Sequence, residues 1–82
     1  MKNRRLLKKL LVSPANAKFD DVRRLVEGFG FRQTRVSGSH HIFVHPAISE
    51  LLNLQEVNGE AKPYQIKQLI RLVRAYNLKA GR

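Results

Sequence analysis

Phe31-Arg32-Gln33-Thr34-Arg35-Val36-Ser37-Gly38-Ser39-His40-His41-Ile42-Phe43-Val44-His45-Pro46 is the stretch on which the fold turns. Phe31 to Val36 mixes apolar and polar positions in a partly alternating run, which predicts a strand. Ser37-Gly38-Ser39 is a turn, and His40 to His45 then reads as the antiparallel partner. Pro46 stops the pairing because it has no amide proton to donate. Two short strands are not stable alone, so the flanking residues must supply further strands and a cover.

Downstream, Leu51 to Gln55 predicts a third, shorter strand, and Asn58-Gly59 a turn. Pro63 suits the first position of a helix, where a missing N–H costs nothing. Ile66, Leu69, Ile70 and Val73, with Tyr76 one turn on, give that helix an apolar face to about Asn77, while Lys67, Arg71 and Arg74 lie on its wet side. Upstream, Asp20 is the expected N-cap of a helix whose core face is Val22, Leu25, Val26 and Phe29 and which Gly28 and Gly30 close. Leu6, Leu7, Leu10 and Leu11 recur among Lys2, Arg4, Arg5, Lys8 and Lys9, predicting a short basic helix packed on the domain. Ser13-Pro14 should end it, with a loop from Pro14 to Lys18. The whole reads as one α+β domain in the order α-α-β-β-β-α, a three-stranded antiparallel sheet with helices on one face. Residues 19–78 are its core and residues 1–13 an extra N-terminal helix.

Eighty-two residues leave no room for a second domain, and the absence of cysteine excludes disulfides and thiolate metal sites. No apolar stretch is long enough to span a membrane or to form a secretory signal, so a soluble, cytoplasmic protein is expected. Sixteen Lys and Arg against six Asp and Glu give a formal charge of +10, unevenly spread. Residues 1–24 carry eight bases and two acids, residues 61–82 six bases and no acid, and residues 25–60 two bases and four acids. The positive charge thus falls on the predicted terminal helices, which points to a nucleic acid as the polyanion they meet, and the histidine run beside a turn makes it RNA.

Three imidazoles next to a turn suggest what is done with it. Histidine titrates near neutrality, so one fixed beside a phosphodiester can take the proton of a 2′-hydroxyl without a metal. Side chains alternate on a strand: His40, Ile42 and Val44 share one face, and His41, Phe43 and His45 the other. Periodicity leaves open which face is core. His40 is the favoured base, because Gly38 and Ser39 beside it allow close backbone approach and a hydroxyl contact to phosphate, with His41 the second candidate. His45, beside Pro46, reads as structural. Only His41 and His45 share a face, at roughly 13 Å along the strand, too far for one ion whose ligands sit near 2 Å from it. No metal and no cofactor is expected. Phe43 and Tyr64 are read as packing residues rather than base-stacking ones.

Phe19-Asp20-Asp21-Val22 with Leu25, Gly30-Phe31, Gly38-Ser39-His40-His41-Ile42-Phe43, His45-Pro46, Ala61-Lys62-Pro63-Tyr64-Gln65-Ile66 and Leu69 resemble, in order, the HicA (YcfA-like) family of toxins. The resemblance spans residues 19–78. It implies a small domain similar to double-stranded-RNA-binding folds, ribonuclease activity on mRNA, and a HicB-type antitoxin made alongside to block it. The family's catalytic His falls here on His40 or His41. Gly38, Ser39, Lys62, Lys67, Arg71 and Arg74 are then the candidate substrate contacts, with no direct role for DNA or a membrane. Two rivals from other classes are a non-catalytic RNA-binding domain and a module docking an acidic protein.

Overall fold

A turn at Gly38 and Ser39, with Gly38 at φ +60, folds β1 (Arg32–Ser37) antiparallel onto β2 (His40–His45), in the register Ser37 to His40 and Gln33 to Phe43. The computed structural model describes residues 2–12 and 17–79. The sheet runs on through β3 (Ile48–Val57) to β4 (Glu60–Ala61), all neighbours antiparallel in the order β1-β2-β3-β4. α1 (Lys2–Val12) and α2 (Phe19–Gly28) precede the sheet, and α3 (Pro63–Ala75) follows it.

The α+β class and the element order agree with the sequence reading, but the sheet has four strands rather than three. Asn58 at φ +54 and Gly59 at φ +78 form a tight reversal of the type that suits the twist of a hairpin, so Glu60 and Ala61 pair at once with Val57 and Glu56. The chain entering α2 backs this short strand: Lys18 bridges to Glu60, and Ala61 N donates to Ala17 O at 3.0 Å. β3 is also longer than Leu51 to Gln55, starting at Ile48. Its register slips between the Phe43 and His45 pairings, which absorbs the polar Ser49-Glu50 pair inside the strand.

α2 begins two residues earlier than an Asp20 cap would allow. Lys18 occupies the cap without a side-chain bond, Phe19 N is satisfied by Gly59 O at 2.9 Å, and Asp20 and Asp21 lie in the first turn, where they complement the helix dipole. At its other end α3 stops at Ala75. Asn77 takes a left-handed conformation at φ +52 and Leu78 N reaches back to Val73 O at 2.9 Å, closing the helix.

Val22, Leu25 and Val26 of α2, Ile66, Leu69 and Leu72 of α3, and Phe43, Leu52 and Leu54 of the sheet are fully buried in one cluster. Both helices therefore cover the same face. α1 packs on α2 through buried Leu10 and partly buried Leu7. The side chains of Leu6 and Leu11, and the expected stop at Ser13-Pro14, lie outside the described residues. Among the described residues, no helix is long and apolar enough to cross a membrane.

Candidate active site

Burial of Phe43 decides where the histidines go. With that ring in the core, alternation puts His41 and His45 on the helix side and His40, Ile42 and Val44 on the open face of the sheet. Of the two arrangements that periodicity allows, the one with Phe43 inside holds.

His41 is the most elaborately held of the three. Its Nδ1 lies 3.3 Å from Gln33 Oε1 across the β1–β2 pair, its Nε2 lies 3.7 Å from Glu56 Oε1 on β3, and the Phe19 ring of α2 packs on it at 4.5 Å and 47°. The side chain is 17% exposed. An amide oxygen only accepts, so Nδ1 carries the proton and Nε2 is the basic atom. His40 is exposed, its Nδ1 turned 3.2 Å from Asn53 Oδ1 on the open face. The two imidazoles stand on opposite sides of one strand and do not share a pocket.

His45 belongs to the scaffold. Its Nε2 donates to Phe29 O at 3.0 Å, its Nδ1 accepts from Ala47 N at 3.0 Å, and its ring meets Phe31 edge-on at 5.1 Å. Both nitrogens are used by backbone, which fixes the ring's orientation and leaves neither free. Gly30 lies against it at φ +99, with room for no more than hydrogen.

The expected substrate contacts divide into two groups. Gly38 and Ser39 adjoin the histidines directly, and Ser39 O accepts from Glu56 N at 3.0 Å. Lys62 follows Ala61, the partner of Glu56, so it stands at the same end of the sheet. Lys67, Arg71 and Arg74 lie further along α3, around a shallow depression of about 540 Å³ that also includes Ile70. Arg71 is tied to Glu50 at 3.0 Å, five residues or about 17 Å along β3 from the Gln55 that pairs with His40. The Arg71 guanidinium, and then the Tyr76 hydroxyl at 3.2 Å, hold the Glu50 carboxyl below its ordinary value, and the same carboxylate pushes the Tyr76 phenol up. Arg71 is thus committed to an internal pair, while Lys67 and Arg74 form no ion pair among the described residues.

Phe19, Gln33 and Glu56 escaped the sequence reading, since each reaches His41 only through strand pairing or helix packing. Gln65 had a readable signal. It occupies an apolar position of α3, is 2% exposed, and its Oε1 accepts from Gln55 N, pinning the start of α3 to β3 beside the site. Among the described residues, no three His, Asp or Glu side chains gather closely enough to hold an ion.

The family described as HicA toxin of bacterial toxin-antitoxin matches residues 19–74 of the chain. The match takes in α2, all four strands and α3 almost to its end, and leaves α1 outside. No curated protein and no solved structure matches the chain.

Proposed function

We propose a ribonuclease activity for this chain, starting from the fact that it belongs to the HicA toxin family of bacterial toxin–antitoxin systems. The observation that carries the reading is the setting of His41, with a proton fixed on Nδ1 by Gln33 and a basic Nε2 beside Glu56 at the rim of the sheet. In this reading Nε2 removes the proton of an RNA 2′-hydroxyl, and the oxygen attacks the adjoining phosphorus. The P–O bond to the 5′-oxygen breaks, leaving a 2′,3′-cyclic phosphate, and the leaving oxygen takes a proton from solvent at this open rim. Glu56 faces the imidazole that takes the proton; Gly38, Ser39 and Lys62 meet the phosphate, the Lys62 cation offsetting charge that grows in the transition state, while His40 on the open face contacts the RNA strand away from the scissile bond. The enzyme is then a metal-independent mRNA interferase acting in the cytoplasm. A HicB-type antitoxin silences it by covering the histidine end of the sheet, an acidic surface being the natural complement to a +10 chain.

His41→Ala should stay folded by circular dichroism and lose cleavage by about 10²- to 10⁴-fold, the usual worth of a general base. His40→Ala should lose less, and wild-type products should end in cyclic phosphate in excess EDTA. If neither substitution slows cleavage, or if chelator stops it and added zinc or magnesium restores it, the mechanism is wrong. RNA that is bound but never cut would favour the non-catalytic RNA-binding reading instead.

A further inference from the structure

Tyr64 stands in the first turn of α3 with 61% of its surface exposed, and Val57, at the end of β3, is 40% exposed. Between them lies a recess of about 410 Å³ lined by Val57, Asn58, Glu60, Lys62, Pro63 and Tyr64. Its size falls in the range of small-ligand sites, and an apolar wall, one ring and a few polar groups are the lining such sites have. Its position is the telling part. Val57 follows Glu56, whose carboxylate faces His41, and two residues before it Gln55 pairs with His40. The recess therefore lies at the same end of the sheet as the histidines.

The lining suits the base of a nucleotide better than its phosphate. Glu60 repels a phosphate from the recess, whereas a flat ring with an apolar neighbour offers a stacking platform that accepts any base. Of the two aromatics considered for that role, Phe43 is fully buried, and the remaining tyrosine, Tyr76, spends its hydroxyl on Glu50. Tyr64 is the ring left at this end of the molecule.

We propose that this recess is a nucleobase pocket: one unstacked base of single-stranded RNA lies on the Tyr64 ring against Val57, while its phosphate is held toward Lys62 and His41. The pocket presupposes the ribonuclease reading, and it makes Tyr64 and Val57 the residues that choose where the RNA is cut.

The test uses the full chain and a short labelled single-stranded RNA of mixed sequence. Tyr64→Ala should raise KM about 5- to 150-fold, the loss of one base–aromatic stack, leave kcat within a few-fold, and blur the choice of cleavage position. Tyr64→Phe, which keeps the ring, should behave as wild type. Val57→Gln, which fills the recess from its other wall, should shift the cleavage positions independently. If the wild type cuts RNA while Tyr64→Ala leaves KM and cleavage positions unchanged, the pocket is overturned and the ribonuclease stands. If the wild type binds RNA without cutting it, the catalytic reading falls, and the pocket is judged by affinity: a 5- to 150-fold loss in Tyr64→Ala supports it and an unchanged dissociation constant overturns it. A wild type that neither binds nor cuts RNA overturns both.

Discussion

Gly30→Ala separates the scaffold histidine from the two at the proposed site. Gly30 sits at φ +99, a conformation that costs a residue with a Cβ about 1–3 kcal/mol. The new Cβ would stand 2.9 Å from His45 Nε2 and 3.3 Å from its Cδ2. The ring must swing away, giving up its bonds to Phe29 O and Ala47 N at about 1 kcal/mol each. Together these come to about 3–5 kcal/mol, against about 4–12 kcal/mol expected for the whole of a domain this size. With a urea m-value near 1 kcal/mol/M, the unfolding midpoint should fall by about 3 M or more, enough to leave the variant marginally folded. A double-mutant cycle isolates the contact. In a His45→Ala background the backbone strain remains but nothing is left to displace, so Gly30→Ala should cost about 1–3 kcal/mol there. Costs that simply add, within about 0.5 kcal/mol, would refute the close approach of Gly30 and His45. A neutral Gly30→Ala would refute the strain as well. Cleavage per folded molecule should be preserved in His45→Ala, since neither ring nitrogen is free to act on substrate.

Replacing both Lys67 and Arg74 by Ala should lower the salt slope of single-stranded RNA affinity by about 1.4, at about 0.7 per phosphate contact; Arg71→Ala should change it less because that guanidinium is already paired. An unchanged slope in the double variant would move the anionic footprint to α1. In Tyr64→Phe, leaving Tyr76 the lone phenol, alkaline difference spectra should place its ionisation above the ordinary tyrosine value, and adding Glu50→Gln should bring it down; no movement would dissolve the Glu50–Arg71–Tyr76 cluster. Glu50, held low in the folded protein, adds stability above the ordinary carboxylate range and loses it as pH falls through its folded value, so Glu50→Gln should flatten the acid side of a stability–pH curve. In a complex with a HicB-type antitoxin, cleavage should be absent and His40 and His41 protected from modification, whereas histidines left open on an inactive complex would require another route of inhibition.

Helices were the more legible half of the fold, because each side of the core repeats along one segment: Val22, Leu25 and Val26, then Ile66 and Leu69, announce themselves at helical spacing. The sheet was less so. Asn58-Gly59 reads as a turn, yet the strand that follows it is two residues long, too short to carry any period, and its pairing with Glu56 and Val57 exists only in three dimensions. The start of β3 at Ile48 is illegible for a related reason: Glu50 finds Arg71 on α3 twenty-one residues away, which no local pattern encodes. At the site, alternation showed that His40 and His41 must part company but not which would face the helices. That depended on Phe43 joining Leu25 and Ile66 in one buried cluster rather than on anything in β2 itself. Gln33 and Glu56 are ordinary polar residues until the register sets them on either side of one imidazole.

The two borders of the sheet also govern how this domain behaves in a crowd. A bare strand edge is an invitation to any extended chain, including another copy of the same one. β4 is shielded by the backbone around Ala17 and Lys18. Among the described residues β1 has no such cover, and all six of its residues are exposed, but it breaks step between Gln33 and Arg35 and carries guanidinium groups at Arg32 and Arg35. A newcomer trying to extend the sheet there meets an irregular ladder and two positive charges. Stacking into fibres is disfavoured by the same short stretch that carries Gln33, the partner of His41. Any protein that does bind along this border must read its side chains, because the border withholds a straight row of amides to zip onto.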